Sequence, residues 1–434
     1  MAHWERVSVP PDSRGVNRRE RQGGSYLRYH PDLLPAAARQ MSAEVNELVV
    51  DASARVAALG QRLRDRPLRL LYATLLRSES IASSWIEGLR DTPRNVMAAR
   101  VDDVDGASGT SREVVRNLDA MEQRVDALVK PAWTHQDVHA VHESLLAHRS
   151  DGRYRNRQVY IGGSSPLTAQ YLAPPEDEVV GYMDDLLRFV NTAGDPPLVK
   201  AALVHAQFET IHPYEDGNGR TGRVLFHGVL ARAGTVDQGV LPLSLVLRDD
   251  VEGYVRALTA FRHDGREPEA ATEAFLTFFM DAVLRAADLA DETIDEVVRI
   301  TEHWRPYVAR LRTDSKVHDV LDLLTEQPVL TRGYISQHLG VTAQTAIKAL
   351  AELEKVGIVQ RAGGRYRRQQ VFQAGEVLAL MDRYVPGPPT VHVPPPPVEV
   401  PVRRYGGPRC GHQLPRKGVP CTLPVGHPGP HRAV

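Results

Sequence analysis

The spacing of apolar residues predicts helices over most of the chain. Apolar residues recur at helical spacing in four stretches, residues 40–63, 68–88, 200–211 and 271–290. Proline suits the first turn of a helix and glycine its end, so the second of these helices is expected to start after Pro67 and stop at Gly88. The pattern therefore predicts a mainly α fold.

Two stretches depart from helical spacing. Val159–Ile161 and Ala169–Leu172 alternate like strands around the connection GGSSPLT, which predicts a β-hairpin. Residues 313–384 suggest three helices followed by alternation around a Gly-Gly turn, the pattern of a winged helix-turn-helix. The first 35 residues are polar and punctuated by proline, and Trp4 and Tyr26 are expected to anchor them on a later surface.

Composition narrows the functional classes. At 434 residues the chain suits about three domains, and 42% apolar residues allow sizeable cores. A net charge of −1 gives no general attraction to nucleic acid. Two cysteines imply no disulfide framework, and no apolar run reaches the length of a leader or a membrane span. We expect a cytoplasmic protein without membrane contact.

The stretch His212–Arg223, HPYEDGNGRTGR, carries most of the chemistry visible in the sequence. Its glycines form a loop at the start of a helix, where unpaired backbone N–H groups attract anions. Arg220 and Arg223 add forked donors for phosphate oxygens. Asp216 can hold a divalent cation, and His212 can take a proton from a hydroxyl. A plain interhelical turn would need only one glycine. The stretch therefore predicts phosphoryl or nucleotidyl transfer.

The same stretch resembles the signature of the Fic (Fido) family, H-x-F-x-[DE]-G-N-G-R-x-x-R, with Tyr214 replacing the usual phenylalanine. The resemblance implies a Fic-type helical core with a β-hairpin flap. It also implies transfer of AMP from ATP to a Tyr, Thr or Ser hydroxyl of a target protein, with pyrophosphate leaving. Self-modification, dimerisation, transfer of another phosphate-containing group and removal of AMP all remain open.

The resemblance also assigns roles to residues. His212 would be the base, and Arg223 would take the γ-phosphate of ATP. The residues implied to hold ATP, with Asp216 also holding Mg²⁺, are Asp216, Gly217, Asn218, Gly219, Arg220, Thr221, Gly222 and Arg223. Tyr254 is expected to line the nucleotide pocket, although Gly253 stands where relatives have a second tyrosine.

Ser83 and Glu87 lie four residues apart, hence on one face of the predicted helix ending at Gly88. Alone, such a pair marks a capped helix end with a solvated glutamate. Beside the Fic signature, SSWIEG resembles the family's inhibitory motif, [ST]-x-x-x-E-[GN]. The resemblance implies that Glu87 pairs with Arg223 and keeps ATP from binding productively until the glutamate moves.

The predicted hairpin has two interpretations. It can simply close the core, or it can hold the target by strand addition, as the resemblance implies, and the two are compatible. The flap residues that would dock the target are Val159, Tyr160, Ile161 and Gly162. Arg155, just ahead of the flap, belongs to a stretch that resembles the family.

Several histidines lie outside the signature. The spacing of His135, His139 and His142 suggests a metal site, but no carboxylate or cysteine completes it, so we set that site aside. His148 follows along the same predicted helix. His205 lies on an apolar helix and is expected to be a packed, hydrogen-bonded core residue.

The C-terminal end changes character. A Pro-rich linker precedes a basic tail that contains both cysteines of the chain beside two histidines. The tail is either a disordered basic segment or a structural Zn²⁺ site, whose four ligands would be Cys410, Cys421, His427 and His431.

The winged helix raises a rival function, a DNA-binding regulator whose core senses nucleotide. The winged helix could equally contact protein. Its predicted base-reading and wing residues are Thr342, Gln344, Thr345, Lys348, Arg361, Arg365, Arg367 and Arg368. The predicted domains are an N-terminal helical region with the inhibitory helix (1–110), the catalytic core (111–290), a connecting helix (291–312), the winged helix (313–385), the linker (386–407) and the tail (408–434).

Overall fold

The computed structural model describes residues 1–384, with gaps at 12–13, 15–17, 36, 66–68, 102–103, 147–151, 164, 236–240, 313, 364–365 and 367–369. The predicted linker and the zinc ligands Cys410, Cys421, His427 and His431 lie outside the described residues, as do Pro67, His148, Arg365, Arg367 and Arg368. The described part is mostly helical with small sheets, which confirms the predicted fold class. None of its helices is long and apolar enough to cross a membrane.

The N-terminal region is a β-hairpin that the polar sequence did not predict. Strands β1 (His3–Val9) and β2 (Gly24–His30) pair antiparallel, with the short helix α1 (Arg18–Gln22) between them. Trp4 packs on Tyr29 at a ring-centroid distance of 4.7 Å and meets Tyr171 edge-on at 6.5 Å. The expected anchoring of Trp4 is confirmed, and Tyr29 is the buried partner.

Four helices follow: α2 (Ala43–Asp65), α3 (Arg69–Ile86), α4 (Pro93–Ala99) and α5 (Gly109–Ala127). Helix α3 is central, because all of its residues from Leu70 to Ser84 except Tyr72 are buried. The buried residues include the charged side chains of Arg77 and Glu79. A helix that is covered on all sides must pack against several elements, and α3 contacts α5, α9, α10 and α13.

The chain continues as helix α6 (His135–Leu146), strands β3 (Tyr160–Ile161) and β4 (Tyr171–Leu172), and helices α7 (Val179–Thr192), α8 (Pro197–Ile211), α9 (Asn218–Arg232), α10 (Leu243–Asp249) and α11 (Val251–Phe261). Strands β3 and β4 pair antiparallel, as the sequence predicted. Helices α8 and α9 are buried along nearly their whole length and pack against each other. The signature stretch is the turn between them.

Helix α12 (Pro268–Val308) is 41 residues long and packs along α2 and α11. It runs without a break across residue 290, where the sequence predicted a boundary between the core and a connecting helix. Its buried face continues from Phe275 to Trp304, so one apolar stripe serves both regions.

The remaining elements are α13 (Lys316–Glu326), β5 (Val329–Leu330), α14 (Arg332–Leu339), α15 (Ala343–Lys355), β6 (Gln360–Arg361), β7 (Phe372–Gln373) and α16 (Gly375–Tyr384). The strand order is β5-β7-β6. This succession is the one expected of a winged helix, and the assignment itself stays a prediction. The region packs on α3 and α4: Arg77 Nη1 donates to Thr325 O at 3.3 Å, and Gln327 Nε2 donates to Met97 O at 2.6 Å.

Candidate active site

The turn between α8 and α9 contains two residues in the left-handed backbone conformation and is closed by one side chain. His212 adopts a left-handed conformation, φ 49° and ψ 62°, which ends α8 and is costly for a residue with a Cβ. Gly217 is also left-handed, φ 79°, just before α9 begins. The Asn218 side chain closes the turn, because its Oδ1 accepts from Tyr214 N–H at 2.9 Å and its Nδ2 donates to Tyr214 O at 2.8 Å. The amide of Asn218 is thus used within the loop.

Arg155 fixes the strained histidine from outside the loop. Its Nε donates to His212 O at 2.9 Å and its Nη2 to Pro174 O at 2.6 Å, while its backbone N–H donates to Pro213 O at 2.9 Å. Burial lowers the pKa of this guanidinium to about 10. The contacts tie the base of the flap to the turn, which explains how His212 keeps an unfavourable backbone conformation. The sequence marked Arg155 only through a resemblance.

Arg220 is buried in the first turn of α9. Its side chain is 2% exposed, and its Nε and Nη1 have no hydrogen-bond partner among the described residues. Burial lowers its pKa. The nearest carboxylate, Asp216, lies 3.7 Å away and is 61% exposed. A buried guanidinium with unused donors, beside the N–H groups of a helix N-terminus, suits a phosphate.

Arg223 is held by helix α3. Its Nε donates to Ser83 Oγ at 2.8 Å, and its Nη2 donates to Ser83 O at 2.9 Å and to Glu87 Oε1 at 2.7 Å. Burial alone would lower the pKa of Arg223, but Glu87 reverses this and the pKa is raised. A Cβ on Gly219 would lie 1.9 Å from Glu87 Oε1, so only glycine leaves room for the carboxylate. The predicted pair of Glu87 and Arg223 is present in the structure.

Glu79 anchors the same face of α3 and was not predicted. It is fully buried and accepts hydrogen bonds from Ser244 N–H at 2.7 Å and Ser244 Oγ at 2.6 Å. Its Oε1 also lies 3.0 Å from His227 Nε2 on α9. Glu79 and Ser83 on α3 and Glu87 just after it recur every four residues, so all three side chains face α9. The spacing of polar residues on an otherwise apolar helix is the feature of the sequence that could have indicated Glu79.

His212 stays neutral near pH 7. Burial first, and then the cations Arg262 and Arg155, lower the pKa of His212 to about 3. Its side chain is 18% exposed. A neutral imidazole can accept a proton from a hydroxyl, so the electrostatics suit a base.

Tyr214, which replaces the signature phenylalanine, has a polar partner. His139 Nδ1 lies 2.8 Å from Tyr214 Oη, and the ring of His142 stacks on Tyr214 at 3.5 Å between centroids. His142 Nε2 lies 3.0 Å from Asp216 O. His135 Nε2 lies 2.8 Å from the carboxylate of Asp184. These side chains brace the loop from the side of α6.

Comparison with known proteins agrees with this geometry. The model of the Fic/DOC family matches residues 132–230, and that of the Fic/DOC family N-terminal region matches residues 46–126. Residues 132–230 belong to the Fic/DOC family. Both matches fall on the helices that build the loop and carry Glu87.

Several known proteins are similar to parts of the chain. "Protein adenylyltransferase Fic" of Drosophila ananassae is 31% identical over 32% of this chain and 28% of its own length. The protein of the same name from Nematostella vectensis is 29% identical over 50% and 47%. A solved Fic family protein from Desulfovibrio desulfuricans G20 is 25% identical, with a TM-score of 0.49, over 78% of this chain and 98% of that one. The chain spans less than half the length of these curated relatives.

Three residues that were expected to bind the nucleotide are buried. Tyr254 is 4% exposed, with its hydroxyl 2.8 Å from His205 Nε2. Thr221 is fully buried, and a Cβ on Gly222 would lie 3.1 Å from His205 Nδ1. Their packing fixes the distance between α8 and α9. His205 is fully buried, which confirms its expected place in the core.

The flap presents an exposed strand. Tyr160 on β3 is 40% exposed, and β3 pairs only with β4 among the described strands. Beneath it, Tyr171 Oη donates to Thr210 O at 2.6 Å, and the guanidinium of Arg262 lies 3.6 Å from the Tyr171 ring centroid. The flap is therefore tied to the end of α8, close to His212.

Proposed function

We propose that this chain transfers AMP from ATP to a hydroxyl side chain of a target protein. The observation that carries the proposal is the turn between α8 and α9. It combines a neutral, buried His212 with two buried guanidinium groups, Arg220 and Arg223, that have unpartnered nitrogens among the described residues. These groups suit a base on one side and a polyphosphate on the other.

His212 takes the proton of the target hydroxyl as its oxygen attacks the α-phosphorus, and pyrophosphate leaves. The backbone N–H groups of Asn218, Gly219 and Arg220 and the Arg220 guanidinium bind the α- and β-phosphates, and Gly217 gives the loop its left-handed turn. Arg223 binds the γ-phosphate once its donors are released from α3. This arrangement draws catalysis mainly from positioning and charge stabilisation.

Asp216 is the residue proposed to hold Mg²⁺. Its carboxylate is 61% exposed beside the phosphate donors, and its Oδ1 accepts the Gly217 N–H at 2.7 Å. Mg²⁺ usually takes one or two carboxylates together with substrate phosphates, so this donor set fits the ion. When bound, Mg²⁺ would neutralise phosphate charge. No group of three or more His, Cys, Asp or Glu side chains within the described residues is arranged around a metal position.

Glu87 is proposed to restrain the reaction. Its carboxylate lies 2.7 Å from Arg223 Nη2, where the γ-phosphate would bind. Since one guanidinium cannot give the same donor to both anions, ATP binds productively only after Glu87 moves. Ser83, which takes two further donors of Arg223, helps to orient the guanidinium for this pair.

The flap is proposed to hold the target. Strand β3, with Tyr160 and Ile161, offers main-chain groups to an extended segment of the target, which would bring a hydroxyl near His212. Val159 and Gly162 flank this strand. Arg262, which contacts both Tyr171 and Thr210, keeps the flap close to α8.

Mass spectrometry of cell lysate incubated with the protein, ATP and Mg²⁺ tests the proposal. Peptides that carry one AMP on Tyr, Thr or Ser are expected with the Glu87→Gly protein and are expected to be absent with Glu87→Gly/His212→Ala. Modified peptides at equal yield in both samples would contradict the role of His212. No AMP-modified peptide in any sample, the protein itself included, would contradict the proposed function.

A further inference from the structure

Glu209 lies one helical turn before His212 and has no place in the mechanism above. Its side chain is 10% exposed, and its Oε2 is 3.8 Å from His212 Nδ1. Neither His212 Nδ1 nor Glu209 Oε1 has a hydrogen-bond partner among the described residues, and both atoms are buried. Unpartnered buried polar atoms are few in folded proteins, and one on each side chain of a close pair that includes a reactive histidine requires an explanation.

The surroundings explain why an isolated His212 would be a poor base. Burial and the neighbouring cations Arg262 and Arg155 oppose a positive imidazole, so accepting a proton there is costly. The main-chain carbonyl of Glu209 favours the imidazolium only in part. A carboxylate beside Nδ1 would offset the charge that develops when Nε2 takes the proton.

We propose that Glu209 is a positioning residue that accepts the Nδ1–H hydrogen bond of His212 and stabilises the imidazolium during transfer. The inference rests on the proposed AMP transfer. In that step the O–H bond of the target breaks and its proton moves to Nε2. The oxygen–phosphorus bond forms as the bond to pyrophosphate breaks, while Glu209 changes no covalent bond.

The 3.8 Å separation is about 1 Å longer than a hydrogen bond. Such contacts are often long before substrate binds and shorten in the reacting complex. Glu209 lies near the end of α8, three residues before His212, so a side-chain rotation without backbone motion can close the gap.

Helix α3 affects the charge of Glu209. Burial and then the negative charge of Glu87 raise the pKa of Glu209 to about 7, although the cations Arg223 and Arg262 oppose the rise. When Glu87 leaves Arg223, one negative charge near Glu209 is removed, which favours its ionised form. Release of Arg223 for ATP and activation of His212 would then occur together. The charged or titratable groups facing Glu209 are Glu87 just after α3, His205 on α8, His212 just after α8, Arg223 on α9, Tyr254 on α11 and Arg262 just after α11.

A purely structural role is the competing explanation, because Glu209 also packs against α9. Its Oε1 lies 3.2 Å from the position that a Cβ on Gly222 would occupy. The variants Glu209→Gln and Glu209→Asp, each in the Glu87→Gly background, separate the two. Glu209→Gln keeps the volume and removes the charge, whereas Glu209→Asp keeps the charge. Gln207→Leu, a buried polar residue on α8 whose Nε2 donates to Asp32 O at 2.9 Å, is the matched control.

We expect Glu209→Gln to lower kcat about ten- to a hundredfold while the KM for ATP stays unchanged. The parent rate should rise with pH as Glu209 ionises, and this rise should be absent in Glu209→Gln and retained in Glu209→Asp. Gln207→Leu should leave kcat unchanged even if its melting temperature falls. Equal kcat and equal pH profiles in the parent and Glu209→Gln would overturn the inference. A lower melting temperature of Glu209→Gln with unchanged kcat would overturn it too.

A second readout does not depend on transfer. In protein labelled with ¹⁵N-histidine, the ring signals of His212 are identified by their absence in His212→Ala. We expect the Nδ1-protonated tautomer in the parent and loss of that preference in Glu209→Gln. If no variant transfers AMP, the proposed function is contradicted. The tautomer of His212 still shows whether Glu209 accepts its Nδ1–H hydrogen bond. The same tautomer in both proteins would contradict the role of Glu209.

Discussion

Replacing Glu87 by glycine removes the carboxylate that occupies Arg223. The contact is a charge-assisted hydrogen bond of 2.7 Å, with Arg223 2% and Glu87 33% exposed. Hydrogen bonds to charged groups contribute about 1.5–3 kcal/mol, and partial exposure of Glu87 favours the lower part of this range. About 1.5–2 kcal/mol corresponds to roughly a 10- to 30-fold gain in apparent ATP affinity. Glu87 follows α3, so glycine there breaks no helix.

Isothermal titration with ATP and Mg²⁺, paired with initial transfer rates at ATP below KM, measures this gain. Glu87→Gln keeps the acceptor and loses the charge, so its affinity should lie between those of wild type and Glu87→Gly. Glu326→Gly is the matched control, because Glu326 also ends a helix and pairs with an arginine, Arg69, at 3.1 Å. Unchanged affinity in Glu87→Gly, or an equal gain in Glu326→Gly, would refute the reasoning.

Three further substitutions test the framework of the site. Tyr214→Phe removes the hydroxyl that bonds His139 and should cost about 1 kcal/mol of unfolding free energy in urea, with AMP transfer retained; a large loss of transfer would contradict this. Glu79→Gln replaces a buried acceptor of three hydrogen bonds and should lower the free energy of unfolding in urea by about 1.5–3 kcal/mol. An unchanged free energy of unfolding would show that Glu79 does not anchor α3. Gly219→Ala should lower the melting temperature more in wild type than in Glu87→Gly, because its Cβ would meet the Glu87 carboxylate; equal losses would speak against this clash.

The parts that sequence predicted well are those in which neighbours along the chain determine the structure. The turn from His212 to Arg223 has its glycines, its helix start and its apolar flanks within a few residues of one another. Ser83 and Glu87 share a helix face by spacing alone. Their meeting with Arg223 spans about 140 residues and was inferred from family resemblance rather than from local pattern.

The parts that sequence missed depend on distant contacts. Glu79 meets Ser244 165 residues away, and Arg155 meets His212 57 residues away, so no local period reveals either contact. In the two N-terminal strands only Tyr29 is buried, so the alternation of buried and exposed positions that predicts strands is weak there. Helix α12 extends past the boundary predicted at residue 290 because its buried apolar face continues to Trp304.

The most direct test of AMP transfer compares ATP labelled with ³²P at the α position and at the γ position. Both are incubated with lysate, Mg²⁺ and three proteins: wild type, Glu87→Gly and Glu87→Gly/His212→Ala. We expect protein-bound label from the α position alone, increased in Glu87→Gly and absent in the double variant. Protein-bound label from the γ position, or none from either position in Glu87→Gly, would contradict the account.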